Sequence, residues 1–120
     1  PLNTPDTDAF VGTQVPGAVL LDAPLTKQGQ PTWLLRELGA HFTLLVFGPP
    51  PGWADALPEV KVLHIGRDVI DHQALATQRL DATPGTAYLV RPDQHVCARW
   101  RAPTEAAVRA ALACATAMAS

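Results

Sequence analysis

The side chains of this sequence could support four chemistries: a thiolate nucleophile, an imidazole metal site, paired carboxylates for proton transfer, and an arginine-lined contact. Cys97 and Cys114 are the only cysteines. They are too few for a disulfide framework and too far apart for a zinc site, and neither sits in a Cys-x-x-Cys. They read as buried packing thiols in a reducing compartment. His41, His64, His72 and His95 are scattered, with no two at ligand spacing on one helix face, so they read as surface or satisfied core residues. Asp68 and Asp71 fall in a loop before a helix, where capping and solvation explain them. The glycines form neither a Gly-x-Gly-x-x-Gly nor a phosphate loop, so a nucleotide cradle has no support. What remains is a mildly basic stretch, Arg91, Asp93, His95 and Arg99, with Arg101 beside it. Arginine pairs bidentately with carboxylates and stacks on flat groups, so these four are the candidate residues for a domain or subunit contact. The bland alternative is that they keep an edge strand soluble.

The size and charge of the chain bound what such a contact could serve. A chain of 120 residues forms one domain and can bury a core without a staple. Apolar residues make up 48 % and charged residues 17 %, against about 25 % in ordinary soluble domains. A thinly charged surface suits contact with other protein surfaces. A net charge of −2 argues against nucleic acid, which wants a basic face. The apolar runs are strand-length, so no membrane span is expected, and no signal peptide is visible. A cytoplasmic location is the expectation.

The elements that must position these residues alternate along the chain. Residues 1–17 hold Pro, Thr, Asp and Gly with little periodicity and read as a linker or extended lead-in. The chain starts at Pro1, which either methionine removal before proline or excision from a longer protein would explain; the linker-like opening leads us to expect the latter. Residues 18–120 read as the domain. Ala18 to Leu25 is the first strand candidate, and Lys27 to Gln30 a turn. Pro31-Thr32 opens a short helix, with Thr32 as N-cap and Gly39 as its stop. Phe42 to Phe47 is continuously apolar and marks a central strand covered on both faces. Gly48-Pro49-Pro50-Pro51-Gly52 stops it, and Trp53 to Leu57 adds one helical turn. Val60 to Ile65 is the next strand. Asp71 caps a short helix through Leu80, with Ala74 and Leu75 as its apolar side. Thr104 caps a last helix whose apolar face is Val108, Ala111, Leu112 and Ala115.

Thr86 to Arg91 and His95 to Trp100 form a hairpin between those last two helices. Proline forbids the positive φ that a two-residue primed turn needs, so a three-residue loop is expected. In it Pro92 and Asp93 make a type I turn and Gln94 is left-handed. That register pairs Arg91 with His95, Val90 with Val96, Tyr88 with Ala98 and Thr86 with Trp100. One face is then Tyr88, Val90, Val96, Ala98 and Trp100, and the other carries Arg91, His95 and Arg99 around Ala87, Leu89 and Cys97.

This order predicts an α/β fold with a mixed central sheet, helices on both faces, a closing hairpin and a C-terminal helix. It resembles thioredoxin. Redox members of that fold place a Cys-x-x-Cys, or a single peroxidatic cysteine, after the strand that matches Phe42 to Phe47, where a helix N-terminus lowers the thiol pKa. Here that place reads Gly48 to Trp53 and has no cysteine, so a thiolate mechanism lacks its nucleophile. The domain is expected to lack the redox motif and to have no catalytic, metal or cofactor residues of its own.

One segment is more specific. Tyr88-Leu89-Val90-Arg91-Pro92-Asp93-Gln94-His95-Val96, followed by Ala98-Arg99-Trp100-Arg101, is similar to the closing hairpin of flavin-dependent aromatic hydroxylases of the phenol and hydroxyphenylpropionate hydroxylase type. Phe42 to Gly48 resembles the "FTLLxFG" strand of the same C-terminal domain, and Val11 to Pro16 its "xGxxxP" approach. The likeness spans about residues 11 to 115. It implies a parent monooxygenase that binds FAD and NAD(P)H and hydroxylates an aromatic ring, with FAD and the ring bound in larger N-terminal domains and no cofactor here. It implies a non-catalytic accessory role. The partners would be the FAD-binding and substrate domains of the same chain or, in a homodimer, a second subunit. The other reading the residues leave open is a stand-alone, redox-inactive protein-binding module. The length of the native open reading frame separates the two.

Overall fold

The computed structural model describes residues 3–57 and 60–117, so the last three residues of the expected 18–120 domain lie outside it. In chain order the elements are β1 (Pro24–Lys27), β2 (Gln30–Trp33), the single turn α1 (Leu34–Glu37), β3 (Phe42–Phe47), a 3-10 turn (Ala54–Ala56), β4 (Val60–Ile65), α2 (Leu75–Arg79), β5 (Ala87–Val90), β6 (Val96–Trp100) and α3 (Glu105–Ala117). The main sheet has the order β4-β3-β5-β6. β3 and β4 run parallel, and β5 and β6 are antiparallel to their neighbours. The α/β architecture is the one expected, with a mixed sheet and helices on both faces.

β3 shows why a continuous apolar strand sits in the middle. Leu44 and Leu45 point to opposite faces and are both fully buried. On one face Leu45 packs with Leu25, Leu34, Leu80 and Tyr88 beneath α1 and α2. On the other, Leu44 packs with Leu89, Trp100, Val108 and Ala111 beneath α3. β3, β4, the 3-10 turn and α3 fall where the sequence places them. Thr104 Oγ1 accepts the Ala107 N–H at 3.1 Å, which is the predicted cap.

The front of the chain differs. Val19 makes only an isolated bridge to His95, and the first regular strand starts at Pro24. It pairs with β2 across Gln28 and Gly29, whose φ values of 51° and 78° make the primed turn a two-residue hairpin needs. The residues expected to open a helix at Pro31 are therefore strand. Thr32 caps nothing; its hydroxyl donates to Glu37 Oε2 at 2.9 Å. The Leu35 N–H instead finds Asp22 Oδ1 at 3.0 Å, and α1 ends two residues before Gly39. Asp71 does cap α2, accepting the N–H groups of Ala76 and Thr77 at 3.1 and 2.8 Å. The helix buries Ala76 and Leu80 rather than Ala74, which is exposed and left-handed at φ 58°.

The hairpin turn forms as predicted. The Arg91 N–H donates to the His95 carbonyl and the Gln94 N–H to the Arg91 carbonyl, both at 2.9 Å, and Gln94 is left-handed at φ 66°. Beyond Val90–Val96 the register slips. Leu89 faces Ala98, Tyr88 faces Arg99 and Ala87 faces Trp100, because Cys97 is an extra residue in a β-bulge. The predicted faces are therefore mixed past the bulge. Ala98 and Trp100 join Leu89 beneath α3, and Arg99 turns to the side of Tyr88.

Candidate functional site

Two places on the sheet could hold function: the exit of β3 and the outer edge of β6. At the exit of β3 the chain turns through Gly48 at φ +89°, where a Cβ would meet the Gly85 nitrogen at 3.3 Å. Three prolines follow. A proline carries no N–H, so this turn offers no cradle of amides to a pyrophosphate or an oxyanion. His64 Nε2 hydrogen-bonds the Gly48 carbonyl, so Nε2 carries the proton, and the buried Nδ1 has no partner among the described residues. Neither cysteine is there. Cys97 is buried beneath α3 and burial pushes its thiol pKa up to about 11, which keeps it protonated at neutral pH. Cys114, expected to be buried like Cys97, instead lies exposed on α3, off the apolar face of Val108, Ala111 and Ala115. A cleft of about 380 Å³ opens beside the turn, lined by Phe47, Ile65, Ile70 and Pro84. Its one carboxylate, Asp71, is spent on capping α2. No cluster of His, Cys, Asp and Glu able to hold a metal occurs among the described residues. The residues here do not fit FAD.

The outer edge of β6 is built differently. The lead-in runs beside it and fills its open hydrogen bonds: the Thr4 N–H donates to the Cys97 carbonyl at 2.9 Å, and the Gly17 N–H to that of Val96 at 2.7 Å. Its side chains then meet the arginines. Arg99, 3 % exposed, holds Asp6 through Nε at 3.0 Å and Nη2 at 2.7 Å and reaches the Tyr88 hydroxyl from Nη1 at 3.4 Å. The Arg101 N–H donates to Asp8 at 2.9 Å, and its guanidinium pairs with Asp81 at 2.6 Å. Between the two guanidiniums lies the Phe10 ring, 4.3 Å from Arg99 Cζ and 3.9 Å from Arg101 Cζ, with Tyr88 edge-on at 5.9 Å. The hydroxyl of Tyr88 donates to the Leu80 carbonyl, and burial raises its pKa. The N–H of Val11 and then Arg101 hold Asp81 below the usual carboxylate range.

Of the four predicted contact residues, three stand together at the turn. Arg91 pairs with Asp93 and donates to Asn3 Oδ1 at 3.1 Å, and His95 Nδ1 lies 3.1 Å from the Asp93 carbonyl. Asp93 and His95 keep 49 % and 35 % of their side-chain surface in solvent, against 16 % for Arg91. The bulge removes Arg99 from this group and gives it to the lead-in. Asp6, Asp8, Phe10 and Asp81 were missed, and Arg101, noted only as part of the basic stretch, belongs with them. The signal for the lead-in residues was present: Asp6 and Asp8 alternate as Arg99 and Arg101 do, which is the spacing of two extended segments side by side.

Comparison with known proteins places this chain in a family. The model of the "aromatic-ring hydroxylase, C-terminal" family matches residues 13–119. The solved structure of the flavin-dependent monooxygenase PieE, in complex with FAD and substrate, is 27 % identical with a TM-score of 0.79. That match covers 93 % of this chain and 23 % of PieE. Aklavinone-11 hydroxylase, solved with FAD and aklavinone, is 22 % identical with a TM-score of 0.65; 78 % of this chain and 19 % of that one are covered, a likeness of fold. This chain thus spans under a quarter of either protein. No curated protein matches it. The chain belongs to the aromatic-ring hydroxylase C-terminal family.

Proposed function

We propose, from membership of the aromatic-ring hydroxylase C-terminal family, that this domain is the non-catalytic accessory part of an FAD-dependent, NAD(P)H-using aromatic-ring monooxygenase. The observation that carries the reading is the family match over residues 13–119. The chemistry of the β3 exit agrees with it. A proline turn without a thiol or a run of amides has nothing to give a redox or phosphate-binding reaction. FAD, NAD(P)H and the aromatic ring are assigned to the remaining domains of the parent polypeptide. PieE supports that division, since this chain covers only 23 % of a protein solved with FAD and substrate. The domain contributes contact: Arg91, Asp93 and His95 meet a neighbouring domain or a second subunit, and Arg99 supports them by fixing the lead-in behind the hairpin. A cytoplasmic location accords with a two-cysteine sequence that has no disulfide framework. No described helix is long and apolar enough to cross a membrane.

The test is spectroscopic. The longer polypeptide that contains this chain should carry flavin absorbance and consume NAD(P)H when given an aromatic substrate. The 120-residue chain should give no saturable quenching in a flavin titration. Saturable micromolar binding to the short chain would overturn the division of labour.

A further inference from the structure

The loop that ends the lead-in and enters the domain spends hydrogen bonds on holding apolar side chains in water. From Gly12 to Leu21 no residue is charged. Gln14, 2 % exposed, staples the loop from inside: its Nε2 donates to the Val19 carbonyl at 3.1 Å and its Oε1 accepts the Leu21 N–H at 2.8 Å. The Ala18 N–H closes a turn onto the Val15 carbonyl at 2.9 Å, with Gly17 at φ +98° as type II geometry requires. Two further bonds lock the loop to the hairpin, Leu20 N–H to the Gln94 carbonyl and Val96 N–H to the Ala18 carbonyl, both at 2.8 Å. Leu20 goes into the core, and Val15, Val19 and Leu21 are left 47 %, 59 % and 43 % exposed. A loop fixed this firmly cannot fold these side chains away, and three exposed apolar side chains within seven residues of a rigid frame mark a contact.

We propose that Val15, Val19 and Leu21 form the face on which the preceding part of the parent hydroxylase polypeptide seats. This rests on the family reading above. Two observations choose that occupant over a second copy. The family is C-terminal and this chain spans 23 % of PieE, so the bulk of such a protein precedes it. The lead-in is anchored to β6 by Asp6 and Phe10, and its Asn3 side chain lies against Gly17 of the loop, so an intrachain surface is the partner favoured by effective concentration. An uncharged face also asks for an uncharged counterpart, unlike the Arg91–Asp93 turn next to it.

Hydroxyl-radical footprinting of the 120-residue chain and of the longer polypeptide tests this. Labelling of Val15, Val19 and Leu21 should be severalfold lower in the longer protein. Val19→Asp with Leu21→Asp should leave the melting temperature of the short chain unchanged. In the longer protein the same pair should restore labelling at Val15 and split one melting transition into two. Equal labelling in both proteins overturns the proposal. So does a dimer of the short chain, by light scattering, that protects the loop and is broken by the double variant, because the occupant is then a second copy. Lack of flavin in the longer polypeptide would instead overturn the monooxygenase reading and leave the footprint result standing.

Discussion

The exit of β3 and the outer edge of β6 lie at different places on one sheet and have been treated in opposite ways. The first is where this fold can do thiol chemistry, and it holds Gly48, three prolines and a histidine turned onto a carbonyl. The second carries two ion pairs, a ring between two guanidiniums and a buried tyrosine hydroxyl. Polar groups are costly to bury, so where they are buried and fully partnered they report what a domain depends on. In this domain they report attachment. The lead-in is held to β6 by more specific polar contacts than any other irregular segment described above.

Substitutions can break this contrast, and the largest effect is expected at Arg99. Arg99→Ala removes one partner of a pair in which the arginine is buried, so a loss of about 3 kcal/mol is expected, less Asp6's partial access to water. That corresponds to a fall of roughly 10 °C in melting temperature for a domain of this size, measurable by calorimetry. Phe10→Ala comes next. It loses apolar burial and two cation–π contacts, together about 2 kcal/mol. Tyr88→Phe keeps the ring and gives up the hydroxyl's bond to Leu80, so about 1 kcal/mol is expected. Pro49→Ala, in the exposed turn after β3, should change stability by less than about 0.5 kcal/mol. If Pro49→Ala cost as much as Arg99→Ala, the contrast between the regions would be gone.

Acid sharpens the same comparison. Asp81 sits below its ordinary pKa of 3.8 because the Val11 N–H and Arg101 favour the carboxylate. A depressed folded pKa means stability that is fully present above the unfolded value and lost as pH falls through the folded one. The stability gap between the native chain and Asp81→Asn should therefore be constant from neutral pH to about pH 5 and close below pH 4. Urea unfolding at several pH values reads this directly. A gap that widens on acidification would contradict the assignment.

Much of this could be read from the sequence because β3, β4 and α3 are set by local pattern. A continuous apolar run, an isolated β-rich stretch and an alanine-rich helix with Thr104 before it each admit one structure. The hairpin turn was legible for the same reason, since Pro92 restricts its own φ. The errors lie where two segments decide together. Pro24–Lys27 is a strand only because β2 and Ile70 lie on either side of it, and a proline in each of the two paired strands hides that. The bulge at Cys97 cannot be read from alternation, which it breaks. The slip it causes, one residue, moved Arg99 from the expected contact group into the arginine network. Asp6 and Asp8 appeared as linker residues because their partners lie some ninety positions away.

The account stands on the claim that this domain serves its parent enzyme by contact and not through a thiol. The most direct measurement is the rate of aromatic hydroxylation by the longer polypeptide, carried through a thermal ramp, in two variants. Cys97→Ala with Cys114→Ala should keep the native rate at low temperature, since the proposed contact role gives neither thiol a part in turnover. Arg91→Glu with His95→Glu should start at a similar rate and lose activity and flavin at a lower temperature than the native enzyme. If the cysteine variant loses turnover at low temperature while its fold is intact, and the charge reversal changes nothing, the domain works by chemistry and the account is wrong.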